Sequence, residues 1–205
     1  MLEVLVVCTG NVCRSPLAEA LLRTRIGSDL VAVSSRGTRA LRDQPATPET
    51  RRLAESYGVP ADDIDAHVAR QLREGDLASP HLVLAMSREH RREIVELNPA
   101  RTRTTFLVRE LAGLAEHLSD DELRAVADRA GRGPQARLAG ILTRVSAVRG
   151  ELALPRTPDE DDVVDPFHRS WETYQRAGTQ LEPAIAQAER LLRLALGARL
   201  RPPGA

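Results

Sequence analysis

The 205-residue chain is 42% hydrophobic and 28% charged, and its 29 basic residues are balanced by 29 acidic ones. A neutral balance without a basic stripe argues against a nucleic-acid or anionic-membrane partner, and this much apolar material suffices for one packed core. The only two cysteines, Cys8 and Cys13, stand five positions apart, a spacing that cannot staple a fold.

In chain order, residues 2–7 read as a short buried strand. The run is too short to cross a bilayer and contains Glu3 instead of following a positive segment, so neither a membrane span nor a secretory leader is expected and the expected compartment is the cytoplasm. A tight loop, Cys8 to Ser15, follows, with Ser15 as the expected N-cap and Pro16 as the first position of a helix that runs to Gly27. Residues 30–35 predict a second strand ending at Gly37. Residues 38–48 form a polar loop, and a helix starts at Thr47 or Pro48 and runs to Tyr57, where Gly58 stops it. Residues 81–86 predict a third strand, Ser87 caps a helix to Leu97, and residues 104–108 predict a fourth strand. Strands alternating with helices imply a parallel sheet with right-handed crossovers.

Residues 113–158 look helical, with a break at Gly131–Pro134. In the second segment Leu138, Ile141, Leu142, Val145 and Val148 share one stripe, as in a hairpin packed on the domain; a lid or docking surface beside the site is the alternative. A last helix starts near Ser170 and carries Trp171, Tyr174, Leu181, Ile185, Ala188 and Leu192 on a helical period, with Pro183 expected to kink it. Residues 1–198 read as one domain and 199–205 as a fraying tail.

The chemistry concentrates in Cys8-Thr9-Gly10-Asn11-Val12-Cys13-Arg14-Ser15. A loop from a strand's carboxyl end to a helix's amino end presents successive N–H groups and the positive end of the helix dipole to an anion. Arg14, six residues after Cys8, has the reach to fold back and grip two phosphate oxygens. The same groups favour the Cys8 thiolate, the nucleophilic form, and Ser15 is placed to donate to its sulfur. In-line attack on phosphorus then gives a thiophosphate, with no metal required because amides and guanidinium neutralise the equatorial oxygens. Spacing alone says little here: every basic residue is Arg, so about one position in seven is Arg by chance, and the weight lies in the ordered strand, turn, Arg-Ser-Pro and helix. A leaving alkoxide or phenoxide needs a proton. Among the carboxylates of residues 158–167, Asp159 to Asp162 read as a solvated run, whereas Asp165, flanked by Val163, Val164, Pro166 and Phe167, is expected to be partly desolvated and to act as the general acid. The histidines show no metal-ligand spacing, and no cofactor is implied.

Residues 8–16 followed by Leu-Ala-Glu, with Ser35-Arg-Gly-Thr, residues 67–71, residues 82–86 and Asp165-Pro-Phe, resemble the low-molecular-weight protein tyrosine phosphatase family. The resemblance implies a four-stranded sheet in order 2-1-3-4 with helices on both faces, and an insert at about 113–158 that the family usually lacks. It implies Cys8 as nucleophile, Arg14 as oxyanion clamp and Asp165 as acid and then base. Asn11, Ser15, Ser35 and His67 would hold the loop in shape. It also makes Cys13 a redox partner able to capture an oxidised Cys8 as a disulfide. The substrate implied is a phosphorylated protein, with phosphate or another oxyanion in the site. The family's tyrosine phosphatases wall their slot with aromatic side chains; here Phe167 is the one aromatic candidate, with Leu41 facing it as an apolar one. The family's arginine phosphatases carry Thr where this chain has Val12. An arsenate reductase using an external thiol and a non-catalytic phosphate-binding module complete the alternatives.

Overall fold

A computed structural model describes residues 1–27, 29–151, 157 and 159–197, and at its centre is a four-stranded parallel sheet. Strand β1 (Leu2–Cys8) pairs on one side with β2 (Val31–Gly37) and on the other with β3 (Leu82–Ala85), which pairs in turn with β4 (Thr105–Leu107). The order is β2-β1-β3-β4, as the resemblance implies. Parallel neighbours need crossovers. These are α1 (Arg14–Ile26), then α2 (Pro48–Ser56) with α3 (Ala61–Asp65) and a 3-10 turn at Glu74–Leu77, then α4 (Arg88–Leu97).

Alternation along β1 sends its side chains to both faces. Leu2, Val4 and Val6 join one apolar cluster with α1, α5 (Val108–Ala115) and α8 (Trp171–Leu196). Leu5 and Val7 join a second cluster with Leu77, Val83, Ala85 and Ile94. A strand buried on both faces has to be apolar almost throughout, which is why its sequence alternates so weakly. The connections leave β1 in opposite directions, so its carboxyl end, Cys8, sits at the switch point where open α/β sheets bind ligands.

Several boundaries differ from the sequence reading. Helix α1 starts at Arg14, with Cys13 at the N-cap, because the Ser15 hydroxyl is drawn into the site and does not cap. The fourth strand stops at Leu107. Val108 already opens α5, where the Glu110 carboxylate accepts from the Leu107 N–H in the manner of a capping box. Short α3 and the 3-10 turn lay between the expected elements without a periodic signal.

Helices α6 (Asp120–Ala130) and α7 (Pro134–Glu151) form a hairpin broken at Gly131, as the stripe predicts. Ser119 caps α6 by accepting from the Glu122 N–H. All five stripe residues of α7 are buried in the same cluster as Leu181 and Ile185 of α8. Helix α8 continues through Pro183 as one helix. Among the described residues, no helix is long and apolar enough to cross a membrane. The expected tail at 199–205 and the end of the helical segment at 152–156 and 158 lie outside the described residues.

Ile141 is fully buried between α7 and α8. Ile141→Ala should therefore lower the unfolding free energy by about 2–5 kcal/mol, read from the midpoint and slope of urea denaturation. A change under about 0.5 kcal/mol, the range of an ordinary surface substitution, would place α7 outside the core.

Candidate active site

Beyond Cys8 the chain turns through Thr9–Cys13 into α1, and Asn11 takes a left-handed backbone (φ 56°), which Asn tolerates better than most residues. That turn aims the Asn11 N–H at Cys8 Sγ, 3.3 Å away. Ser15 Oγ lies 3.0 Å from the same sulfur. Because that oxygen already accepts from Asn11 Nδ2 at 2.9 Å, its own hydrogen is free to point at the sulfur.

The Asn11 side chain is fully engaged. Its Nδ2 also donates to Ser35 Oγ at 2.8 Å, and its Oδ1 accepts from the Arg70 N–H at 2.8 Å. Ser35 passes its proton toward Glu19 Oε2 at 2.6 Å. The Asn11 carbonyl accepts from His67 Nε2 at 2.7 Å, and burial pushes the His67 pKa down, keeping the ring neutral with its proton on that nitrogen. Ser35 and His67 both hydrogen-bond Asn11; Glu19 and the Arg70 amide, which join the same set, were not anticipated.

Arg14 is 6% exposed. Its Nη1 donates to the Val163 carbonyl at 3.1 Å, and its Nη2 reaches Thr9 Oγ1 at 3.4 Å and Asp165 Oδ2 at 2.6 Å. Among the described residues the buried Nε–H has no hydrogen-bond partner. A buried guanidinium with an unsatisfied donor is expensive, and an oxyanion supplies what is missing. The Asp165 side chain, expected to be partly desolvated, is half exposed and ion-paired with Arg14, and the Phe167 N–H closes an Asx turn on its Oδ1 at 3.2 Å.

The Asp165 loop is held from many sides. The Val163 N–H donates to Met86 at the end of β3 (2.9 Å), and the Val164 N–H to Gln180 of α8 (2.9 Å). The solvated run expected at 159–162 is also tied down, since Asp162 Oδ1 accepts from the Arg88 N–H at 2.9 Å and Arg109 donates to its carbonyl. Asp162 looks solvated in sequence because its partners, the Arg88 N–H and the Arg109 guanidinium, lie far along the chain.

On the opposite side, the segment after β2 lies against the loop: Thr38, Arg39 and Leu41 N–H groups donate to the carbonyls of Cys8, Thr9 and Gly10 at 2.9, 3.0 and 2.9 Å. A Cβ on Gly37 would meet Thr9 O at 2.5 Å, so only glycine permits this approach. The result is a pocket of about 120 Å³ lined by Cys8, Arg14, Val12, Leu41, Asp165 and Phe167, with Thr9, Gly10, Cys13 and Arg39 completing it. Pockets for drug-sized ligands run to roughly 300–1,000 Å³, so this one takes a headgroup and not a whole molecule. Arg39 at its mouth pairs with Glu89 and Glu93 at 2.9 and 3.0 Å.

Cys13 is a free thiol whose sulfur lies 3.4 Å from Tyr174 Oη and 3.7 Å from Thr47 Oγ1, and burial pushes its pKa up. Capture of an oxidised Cys8 requires this thiol to leave those partners. His90, which sequence reading passed over, is 2% exposed; its Nε2 lies 2.8 Å from Thr9 Oγ1 and its Nδ1 2.8 Å from Ser87 Oγ. A Ser-x-x-His at a helix start carries too little signal to find it.

Residues 3–147 match the family model described as low molecular weight phosphotyrosine protein phosphatase. The chain is similar to a probable low molecular weight protein-tyrosine-phosphatase, EpsP, of Ralstonia nicotianae, at 38% identity over 108 residues, 53% of this chain and 71% of that one. Among solved structures it is similar to the low molecular weight protein tyrosine phosphatase from T. tengcongensis (27% identity, TM-score 0.61, 92% of this chain and 97% of that one). It is also similar to the YwlE arginine phosphatase from Geobacillus stearothermophilus (26% identity, TM-score 0.59, 92% and 91% covered).

Burial, and then the Arg14 charge, push the His90 pKa down to about 3, against the opposing pull of Glu89. Between pH 6.5 and about 3 the unfolded ring binds a proton that the folded ring refuses, so stability is complete above this window and falls as pH drops through it. Denaturation at pH 7, 5.5 and 4.5 should show His90→Gln losing less stability than wild type over that range, the difference reaching on the order of a kcal/mol or more. Parallel curves would mean that the ring is protonated in the native state.

Proposed function

The chain belongs to the low molecular weight phosphotyrosine protein phosphatase family, and from that premise we propose that it hydrolyses protein phosphotyrosine through a cysteinyl-phosphate intermediate on Cys8. The observation that carries this reading is the convergence of the Cys8 sulfur, the buried Arg14 guanidinium and the Asp165 carboxyl on one small pocket. The donor atoms of Arg14 and the loop amides receive the equatorial oxygens, so no metal enters the scheme.

The phosphate dianion takes the place of Asp165 on Arg14, and the displaced carboxylate takes up a proton from solvent before the chemical step. Cys8 attacks phosphorus: an S–P bond forms, the P–O bond to the tyrosine oxygen breaks, and Asp165 delivers its proton to that oxygen. Asp165 then takes a proton from water, the water oxygen bonds to phosphorus, and the S–P bond breaks to release phosphate and the Cys8 thiolate. Asn11 N–H and the Ser15 hydroxyl stabilise the sulfur as leaving group.

The apolar faces of Val12, Leu41 and Phe167 suit a phenyl ring better than a guanidinium, which supports phosphotyrosine over phosphoarginine. A nucleophilic thiol works where thiols stay reduced, which supports the cytoplasm as its compartment. On this reading the chain to residue 198 acts as one phosphatase unit, with the segment 113–158 serving packing.

Phosphotyrosine, phosphoarginine and phosphoserine peptides, with arsenate plus a small thiol in parallel, test the substrate; the phosphotyrosine peptide should turn over fastest, and faster phosphoarginine turnover would overturn that choice. Cys8→Ser and Arg14→Ala should each lower kcat/KM by about 10³-fold or more. Asp165→Asn should slow poor aryl leaving groups by about 10²-fold and spare good ones; uniform slowing across a leaving-group series would point to another acid.

A further inference from the structure

We infer that His90 is a positioning residue of this site: through the Thr9 hydroxyl it fixes the plane of the Arg14 guanidinium that meets the phosphate. The inference rests on the reading of Arg14 as the phosphate clamp. A planar guanidinium held at one nitrogen can swing about that contact. Val163 O holds Nη1 only. Asp165 holds Nη2, but its side chain is half exposed and must leave to serve the departing oxygen. The one Nη2 contact that persists through turnover is Thr9 Oγ1, and the Thr9 side chain is itself a free rotor unless something anchors it.

His90 is that anchor. Its Nε2 lies 2.8 Å from Thr9 Oγ1, and the ring is locked at its other nitrogen, Nδ1, by Ser87 Oγ at 2.8 Å. Ser87 in turn caps α4 by accepting from the His90 N–H at 3.4 Å, so the ring is pinned to a helix end. Capping alone needs only Ser87 and a backbone N–H; it does not require a ring that reaches across to the loop after β1. The ring also stays neutral at any working pH and so adds no second cation beside Arg14. The geometry thus runs from the end of β3, through Ser87, His90 and Thr9, to a guanidinium whose Nε is left for the ligand.

The test is steady-state kinetics on a small aryl phosphate, with inhibition by orthovanadate, for wild type, His90→Leu, His90→Gln, Thr9→Val and the His90→Leu/Thr9→Val double variant. His90→Leu and Thr9→Val should each lower kcat about 10- to 100-fold with little change in KM, and should weaken vanadate inhibition in proportion to kcat/KM. His90→Gln, which offers an acceptor near the position of Nε2, should recover most of the rate, and the double variant should be no worse than either single one. A folded His90→Leu with wild-type kcat, a His90→Gln as slow as His90→Leu, or fully additive losses would each overturn the assignment. If His90→Leu does not fold, Thr9→Val decides alone, and a wild-type rate there overturns it. If wild type turns over no phosphoester, the proposed function fails separately. The assignment is then read from orthovanadate affinity by calorimetry, where wild type and His90→Gln should bind more tightly than His90→Leu and Thr9→Val; equal affinities overturn it.

Discussion

The site depends on one residue in an uncommon backbone conformation. Asn11 sits at φ 56°, where a β-branched side chain would be strained, and its side chain and carbonyl together make four hydrogen bonds to three separate segments of the chain. The backbone turn aims its N–H at the Cys8 sulfur, and the side chain keeps the turn from relaxing. Each partner is itself fixed: Ser15 by α1, Ser35 by β2, Arg70 and His67 by the segment that crosses toward β3. A loop so over-determined can hold several amides toward an anion without collapsing on itself, which electrostatic preorganisation requires.

The second constraint is charge. Arg14 is a buried cation, and a buried cation needs a counter-ion and full hydrogen bonding. The fold provides one movable counter-ion, Asp165, and two neutral acceptors, Val163 O and Thr9 Oγ1. It leaves Nε without a partner. Here Asp165 neutralises Arg14; on the proposed function, a phosphate taking its place on the guanidinium would release the carboxyl beside the leaving group, and one event would link binding to acid catalysis. Val163 anchors the near end of the loop to β3, and the half-exposed Asp165 two residues later retains freedom to move.

Much of this was legible in the sequence because the relevant signals are local. The apolar strand, the Cys-to-Arg spacing and the Arg-Ser-Pro helix start all fall within 16 residues, and they located β1, the loop and α1 to within one or two positions. The stripe of α7 was equally plain, because a 3.6-residue period needs no knowledge of the partner it packs on. What escaped reading is non-local. Asp165 was expected to be partly desolvated by its apolar neighbours in sequence, and what the reading missed is its ion pair with Arg14, 151 positions earlier. Asp162 looked solvated until Arg88 and Arg109 came to meet it. His90 carried no local mark, because its importance lies in what Thr9 does at a distance of 81 residues. Ser15 was read both as a cap and as a donor to the Cys8 sulfur; its hydroxyl serves the sulfur, and the N-cap falls two positions earlier, at Cys13.

The pocket also limits how selectivity can arise. With Phe167 the one aromatic wall and Leu41 and Val12 completing the apolar lining, stacking energy is small and depth has to do the discriminating. Aromatic pairs add only about 0.5–1.5 kcal/mol beyond burial, roughly a tenfold preference. On the proposed function, Cys8 among these apolar lining residues would favour a phosphoester long enough to bring phosphorus to the sulfur. At the mouth Arg39 is neutralised by Glu89 and Glu93, so long-range attraction of acidic peptides is weak there. Binding energy is thus concentrated on the phosphate itself, through Arg14 and the loop amides, and those are the contacts that tighten as charge develops on the equatorial oxygens.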